Sequence, residues 1–158
     1  MFTVHAIAAD RLEAVRRNAT DASGHPPVPC PAEGGESLRC CLRDADPGER
    51  LMLFGYEPVL PPSPYRELGA VFAHAEACPG PAGDGYPAAW RGRPQVLRAY
   101  DARGWIHPAT RTHDGTDPEA ELAAILSDPG VVRVDSRNIA YGCFMFSVTR
   151  LNALLFSA

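Results

Sequence analysis

Hydrophobic and polar residues alternate along much of this chain, and this pattern predicts short β-strands. Successive side chains of a strand point to opposite faces of its sheet, so every second residue of a run is expected on the same side. The first such run is Phe2–Ala8. The later runs are Ser37–Leu42, Arg50–Tyr56, Leu68–Glu76, Pro94–Tyr100, Trp105–Thr110, Val131–Asn138 and Cys143–Thr149.

Two segments between these runs carry the signals of short helices. In the first, Asp10 occupies an N-cap position and Glu13 the matching capping-box position, which predicts a helix to about residue 19. In the second, Thr116 or Asp117 can cap a helix that has Pro118 near its first position and runs to about residue 127.

The order of these elements defines the expected architecture. A strand and a helix come first, several strands follow, and a second helix precedes a final hairpin. This order predicts an α+β fold with a mostly antiparallel sheet or partly open barrel and two short helices. Residues 1–158 are expected to form a single domain. The Pro- and Gly-rich stretch at about residues 20–36 is long for a connection and is expected to be mobile or functional.

Composition narrows the classes of function. A chain of 158 residues, 46% of them hydrophobic, can bury a core of ordinary size. The net charge of -4 and the pI of about 5.7 argue against a nucleic-acid partner. No stretch reaches the roughly 18 apolar residues of a membrane span, and a signal-peptide pattern is missing, so no membrane partner is expected. An odd number of cysteines without a secretion signal indicates reduced thiols and a cytoplasmic location.

Every one of the 15 basic residues is an arginine, because the sequence contains no lysine. Lysine Schiff bases, a pyridoxal-phosphate lysine, a Walker lysine and lipoyl or biotinyl attachment are therefore excluded. Cationic recognition falls to arginine, whose planar guanidinium binds carboxylate and phosphate groups. No cofactor is expected from the motifs of the chain, which has no G-x-S-x-G, H-E-x-x-H, P-loop or G-x-G-x-x-G sequence.

A metal site is also not expected, although some ligand types are present. His74 and Cys78 are four residues apart and would share a strand face, and Cys30, Cys40 or Cys41 could in principle complete a zinc set. No C-x-x-C pair exists, however, and Cys40 and Cys41 would point to opposite faces of the predicted strand.

Polar side chains recur on one face of four predicted strands. The members of these faces are Arg39, Cys41 and Arg43 in the first strand, His74, Glu76 and Cys78 in the second, Arg98 and Tyr100 in the third, and Arg133, Asp135 and Arg137 in the fourth. If the four faces converge, they form a cationic cleft that attracts a small anion. If they all face water, they form a charged sheet surface with weak Arg–Asp pairs.

The segment from Asn138 to Cys143 interrupts two apolar strands with polar groups. Asn138 can bond its own backbone at the strand end or orient a ligand through its amide. Gly142 is typical of a bulge or a close backbone approach. Cys143 is either a buried thiol or a nucleophile close to Arg137 or His74.

Several of these short segments together resemble a known family. They are Asp44–Leu51, Tyr56 with Glu57, Pro64–Arg66, Leu97–Asp101, Ser127–Pro129, and Asn138 with Gly142 and Cys143. In this order they are similar to the bacterial domain-of-unknown-function 1203 family, over about residues 37–150. In that family the last strand often carries two histidines before the Asn, at the places of Asp135 and Arg137 here. The resemblance implies a cytosolic bacterial protein of this fold and supplies no activity.

The first hypothesis is an enzyme that acts on a small anionic or polar metabolite in an arginine- and histidine-lined pocket. His74 would be the acid/base, and Cys41 or Cys143 the nucleophile. Tyr100 would be a proton donor, with Tyr65 as an alternative donor or a substrate contact. The remaining proposed substrate-binding residues are Arg39, Arg98, Arg137 and Asn138.

Two alternatives remain open from the sequence. One is a non-catalytic module that binds a metabolite in the same pocket and needs no nucleophile. The other is a protein-interaction partner whose contact surface is formed by the Pro- and Gly-rich loops at residues 20–36 and 58–64.

Overall fold

The computed structural model describes residues 1–151, which form two five-stranded sheets and two helices. The helices are α1 (Ala9–Asn18) and α2 (Pro118–Leu126). The first five strands are β1 (Phe2–His5), β2 (Val28–Pro31), β3 (Ser37–Leu38), β4 (Arg43–Asp44) and β5 (Arg50–Tyr56). The last five are β6 (Gly69–His74), β7 (Gln95–Tyr100), β8 (Arg111–His113), β9 (Arg133–Asn138) and β10 (Phe144–Arg150).

The first sheet has the strand order β1-β10-β9-β7-β8, and all its pairs are antiparallel. The second has the order β2-β5-β6-β3-β4 and is antiparallel except for the β3–β6 pair. Two helices with two mostly antiparallel sheets confirm the α+β prediction.

Each sheet packs one apolar face against a helix. Leu97, Val134 and Val148 of the first sheet pack with Leu122 and Ile125 of α2, and all five are fully buried. Burying such a side chain contributes about 1.5–3 kcal/mol, so this layer is a major source of stability. The opposite face of the first sheet carries polar groups, and these form the candidate site.

A second core lies between the second sheet and α1. Leu38, Leu51 and Val71 of the sheet pack with Leu12 of the helix and with Phe144 from β10. Phe144 belongs to the first sheet by its hydrogen bonds and to the second core by its packing. It therefore joins the two sheets next to the polar face.

The first helix, the loop at residues 20–36 and the strand over Trp105–Thr110 differ from their predictions. The helix α1 begins at Ala9 without a side-chain cap, so Asp10 lies inside its first turn rather than at the N-cap. The expected loop at residues 20–36 contains β2, which pairs with β5 at a sheet edge. A return strand over Trp105–Thr110 is wrong, because β8 begins at Arg111 and the earlier residues make one isolated bridge. The cap of α2 by Asp117 is confirmed, since its side chain accepts the N–H of Ala120.

The predicted strand over Ser37–Leu42 is wrong beyond Leu38. Residues 39–42 form a turn that closes with a hydrogen bond from the Leu42 N–H to the Leu38 carbonyl, at 2.9 Å. Leu42 adopts a φ of 58°, which no strand accommodates. The alternation that placed Cys40 and Cys41 on opposite faces therefore does not apply.

In the part of the chain that the structure describes, no helix has the length and apolar character needed to cross a membrane.

Candidate functional site

Two of the predicted polar strand faces form a single polar face in the structure. In the antiparallel register of β7 and β9, Arg98 lies opposite Asp135, Tyr100 lies opposite Arg133, and Val96 lies opposite Arg137. The two-residue period of both strands puts these five polar side chains on one side of the sheet. The sequence placed each set on one face correctly, and the register brings the two sets together.

An ion pair lies inside this polar face. Nε of Arg133 donates to Oδ1 of Asp135 at 2.7 Å, and both side chains are buried. The hydroxyl of Tyr100 and Oδ2 of Asp135 have no hydrogen-bond partner within residues 1–151. Burial, followed by the Asp135 charge, raises the pKa of Tyr100, so its phenol stays protonated at neutral pH.

Next to this polar face is a cleft of about 380 Å³, here called the Arg98–Arg137 cleft. It is lined by Tyr56, Pro58, Glu67, Leu68, Gly69, Ala70, Arg98, Arg137, Tyr141, Gly142, Cys143 and Phe144. Three predicted site residues, Arg98, Arg137 and Cys143, therefore share one wall.

A single carboxylate oxygen joins the two arginines of the cleft. Oε2 of Glu67 accepts from Arg98 at 2.7 Å and lies 2.9 Å from Arg137. Arg137 also donates to the Gly142 carbonyl at 3.0 Å, which holds its guanidinium against the hairpin. Glu67 is half-exposed, whereas Arg137 is buried and Arg98 is mostly covered. The guanidinium positions are thus fixed by strands, while the carboxylate comes from the connection before β6.

Arg39 adds a third guanidinium close to the cleft wall. It is buried, its Nε donates to the Phe144 carbonyl at 2.7 Å, and its Nη1 donates to the Ser37 carbonyl. Burial lowers the pKa of Arg39 to about 10, which still leaves it charged at neutral pH. The Cys143 thiol is close enough to interact with that charge.

Asn138 shapes the hairpin that closes one end of the cleft. Its side-chain oxygen accepts the N–H of Tyr141 at 2.8 Å, and its backbone pairs with Cys143 and Gly142. Gly142 has a φ of 71°, a left-handed conformation that glycine adopts without strain. Asn138 bonds its own turn, as one of the two alternatives expected, and Cys143 follows directly on the cleft wall.

Two other predicted residues, Cys41 and His74, lie in a different place. They belong to a cluster with Cys40 and Cys78, here called the Cys40–Cys78 cluster, in which the ligand-type atoms of all four lie within 4.8 Å of one another. Cys41, His74 and Cys78 also line a cavity of about 900 Å³ that shares no lining residue with the Arg98–Arg137 cleft. His74 is therefore not positioned to exchange protons with a molecule in that cleft.

The imidazole of His74 is held from both sides. Its Nδ1 lies 3.3 Å from the Cys40 sulfur and 3.9 Å from the Cys41 sulfur, and its Nε2 lies 3.0 Å from Glu49. Glu49 is in turn bound by both terminal nitrogens of Arg43, at 2.6 and 2.9 Å. Arg43 holds the pKa of Glu49 well below its usual range, so the carboxylate is charged and orients the imidazole.

Tyr65 lies outside both groups. Its ring packs edge-on against Trp105 with a centroid separation of 5.5 Å. The guanidinium of Arg103 lies over the Trp105 ring, 5.0 Å from its centroid. It is not among the lining residues of either cavity. The tyrosine at the cleft is instead Tyr56, which packs 5.1 Å from the Phe144 ring.

The sequence did not identify Glu67 and Tyr56 as residues of the cleft, or His5 as a neighbour of the polar face. Glu67 gave no signal, because it lies between two predicted elements with no pattern of its own. His5 pairs with Ser147, which pairs with Asp135, so it lies in the same cross-strand row. That row depends on strand order, which alternation within a strand does not define.

The fold and the cleft define an α+β protein with a buried polar layer between two mostly antiparallel sheets. The chain matches the family described as "Protein of unknown function (DUF1203)" over residues 35–150. This match spans more than half of the sequence, and the chain belongs to that family. Neither a curated protein nor a solved structure matches this chain.

Proposed function

We propose that this protein binds a small anionic or polar metabolite in the Arg98–Arg137 cleft. The observation that carries the proposal is the convergence of two guanidinium groups, from neighbouring strands, on one carboxylate oxygen of Glu67. A carboxylate or phosphate oxygen of a ligand has the same charge and accepts the same charge-assisted hydrogen bonds. Glu67 therefore marks the position at which the anionic group of the ligand would bind.

The local balance of charge favours an anion. Arg98 and Arg137 contribute positive charge at the cleft wall, with Arg39 bound to the Phe144 carbonyl behind it, and Glu67 contributes the opposing negative charge. The nearby Arg133–Asp135 pair is neutral as a unit. The whole protein carries a net charge of -4, yet a local excess of positive charge beside a low-dielectric wall attracts small anions.

The size of the cleft and the exposure of Glu67 fit a small ligand. Its volume of about 380 Å³ is near the lower end of the roughly 300–1,000 Å³ typical of ligand pockets. Glu67 is 49% exposed and reaches the arginines from a connection between strands. It can turn towards solvent while Arg98 and Arg137 stay in place, which would free both guanidinium groups for the ligand.

A second candidate function is an enzyme that acts on the metabolite bound in the same cleft. The observation that favours it is the Cys143 thiol, which lines the cleft together with Arg137. The thiolate form of cysteine is a nucleophile, and in an enzyme Cys143 would attack the ligand bound beside Arg137. His74 and Cys41 have no role in this version, because they line the other cavity.

This function is proposed for the cytoplasm. All five cysteines have free thiols, including the sequence neighbours Cys40 and Cys41. Free thiols persist in reducing compartments, whereas secreted proteins of this size commonly oxidise them.

A thermal-shift screen tests the proposal with inorganic phosphate, acetate, succinate and citrate. A ligand that binds the native state raises the melting temperature of the wild type. Arg98→Gln and Arg137→Gln each remove a charge-assisted bond of about 1.5–3 kcal/mol, so affinity should fall about ten- to hundredfold. The matched control is Arg111→Gln on the edge strand β8, which removes an exposed guanidinium that is paired with Glu121 of α2 and does not line the cleft.

A turnover assay on any compound that the screen finds separates the two candidate functions, because only an enzyme converts the bound compound. Cys143→Ala should keep the ligand-induced shift in both cases, and it should abolish turnover of the bound compound if the protein is an enzyme. Equal shifts for the wild type, Arg98→Gln and Arg137→Gln would contradict binding in this cleft. Circular dichroism of each variant checks that the fold is retained.

A further inference from the structure

The Cys40–Cys78 cluster brings together four side chains from three separate segments. Cys40 and Cys41 come from the turn after β3, His74 is the last residue of β6, and Cys78 lies in the connection that follows. The turn at residues 39–42 is what allows adjacent cysteines to point at one imidazole. Three thiols and an imidazole are the donor set of a Cys₃His zinc site.

Three distances within the cluster are close to the edges of a zinc tetrahedron, and the Cys78 sulfur lies within 4.8 Å of the other three ligand-type atoms. With zinc bonds of about 2.3 Å to sulfur and 2.0–2.1 Å to nitrogen, two sulfurs are about 3.8 Å apart, and a sulfur and a nitrogen about 3.6 Å. The Cys40 and Cys41 sulfurs are 3.8 Å apart. Nδ1 of His74 lies 3.3 Å from the first and 3.9 Å from the second.

The surroundings of His74 favour metal binding through Nδ1. Its Nε2 lies 3.0 Å from the Glu49 carboxylate, which accepts the ring proton and leaves the Nδ1 lone pair directed at the thiols. Arg43 holds Glu49 with two bonds, so the orientation of the imidazole is fixed. A carboxylate that accepts the second ring N–H is the usual outer partner of a metal-binding histidine.

Two backbone N–H groups and one arginine lie beside the sulfurs of the cluster. The His74 N–H points at the Cys40 sulfur at 3.4 Å, and the Gly80 N–H points at the Cys78 sulfur. Arg43 lies close enough to Cys41 for their charges to interact. Three thiolates around a dication leave one net negative charge, which these donors stabilise.

We propose that Cys40, Cys41, His74 and Cys78 form a four-coordinate structural zinc site. All four ligands come from the chain, so the site is closed, as structural zinc sites are. On binding, each thiol that becomes a ligand releases its proton to solvent, and His74 coordinates through a neutral nitrogen. Zinc keeps its oxidation state throughout. A bound zinc ion would connect the segment at residues 78–80 to the end of β6 and to the turn after β3. The proposed zinc site does not depend on the Arg98–Arg137 cleft.

Metal analysis of the purified full-length protein tests this inference. The expected content is one Zn²⁺ per chain in the wild type. Cys41→Ser, Cys78→Ser and His74→Ala should lose this zinc. The matched control is Cys30→Ser, which removes a cysteine outside the cluster and should keep it. Equal zinc loss in the control and the cluster variants, or no zinc in any of them, would overturn the site.

A second measurement needs no variant and remains decisive if a substitution prevents folding. The metal-free protein is titrated with Co²⁺, which should produce the visible bands of a tetrahedral site and a thiolate-to-metal charge-transfer band. A thiol reagent should then label fewer cysteines in the zinc-bound protein than in the metal-free protein, with three of the five protected. Absence of the charge-transfer band, together with unchanged labelling, would refute the proposal.

Discussion

Arg133 and Asp135 form an ion pair inside the protein, two residues apart on β9. The exposed fractions of the two side chains are 5% and 0%, so neither charge is solvated by bulk water. Arg133 also donates to the Val59 carbonyl at 3.0 Å, which fixes its direction. A buried charge is tolerated only with its partner present, so each of these residues depends on the other.

Replacing Asp135 by Ala should lower the free energy of unfolding by about 3–5 kcal/mol, because the Arg133 charge is left buried without a partner. Glu121→Ala, which breaks the exposed pair with Arg111, should change it by less than about 1 kcal/mol. Urea unfolding of both variants measures the difference. The double variant Arg133→Met with Asp135→Leu should recover much of the stability, and a mild effect of Asp135→Ala alone would contradict the role of the pair.

Asp21 holds the connection between α1 and β2 against β5. Its Oδ2 accepts the Gly55 N–H at 2.6 Å, and its Oδ1 accepts the N–H groups of Ser23 and His25 at 2.8 and 3.1 Å. Burial is the largest single influence and raises the pKa of Asp21, but the hydrogen bonds from Ser23, Gly55 and His25 together outweigh it and lower that pKa to about 2. The carboxylate therefore stabilises the fold while it is ionised.

The contact between Asp21 and Gly55 of β5 should therefore contribute a pH-dependent part of the free energy of unfolding. The folded pKa of Asp21 lies below its ordinary value of 3.8, so its stabilising effect is complete above that value and is lost as the pH falls towards about 2. Wild type should exceed Asp21→Asn in stability at pH 6, and the difference should shrink below pH 3.8. Chemical unfolding across this range measures it, and a difference that does not vary with pH would count against the contact.

At the scale of elements, the sequence defined strand faces better than strand ends. Alternation over β7 and β9 placed Arg98, Tyr100 and Arg137 correctly because it follows from the two-residue period alone. Leu38, Cys40 and Leu42 also alternate, yet in the structure all three are buried by a turn. Arg39 between them is buried as well, so burial does not alternate along the turn, and the alternation of residue types alone could not reveal this.

The strand β2 escaped prediction for a different reason. Its sequence, Val28–Pro31, contains two prolines, which are typical of loops and are tolerated in strands mainly at sheet edges. β2 is such an edge, paired with β5 alone in its sheet order. Its identity as a strand therefore depends on tertiary pairing rather than on local propensity.

At the scale of the whole molecule, both candidate sites join segments that are distant in sequence. The cleft combines Glu67, Arg98 and Arg137, with Arg39 close behind, and the Cys40–Cys78 cluster begins at the very next residue after Arg39. Sequence analysis named most of these residues, but it assigned His74 and the arginines to one pocket. Strand order and the turn at residues 39–42 separate them, and neither is encoded in the pattern of a single strand.

The net charge of -4 would make the proposed anion site a local feature that opposes the field of the whole molecule. Glu67 lies at this proposed site, because its carboxylate oxygen contacts both Arg98 and Arg137. Under the proposal, a bound anion would have to displace Glu67, so competition with this side chain would set the affinity of the cleft for anions.

Isothermal titration of inorganic phosphate and citrate into Glu67→Gln tests the central claim most directly. Removing the competing negative charge leaves both guanidinium groups in place, so the anions should bind more tightly than they bind the wild type. Glu121→Gln, which neutralises a carboxylate paired with Arg111 instead, should leave the affinity at the wild-type value. Weaker or unchanged anion binding in Glu67→Gln would contradict an anion site between Arg98 and Arg137.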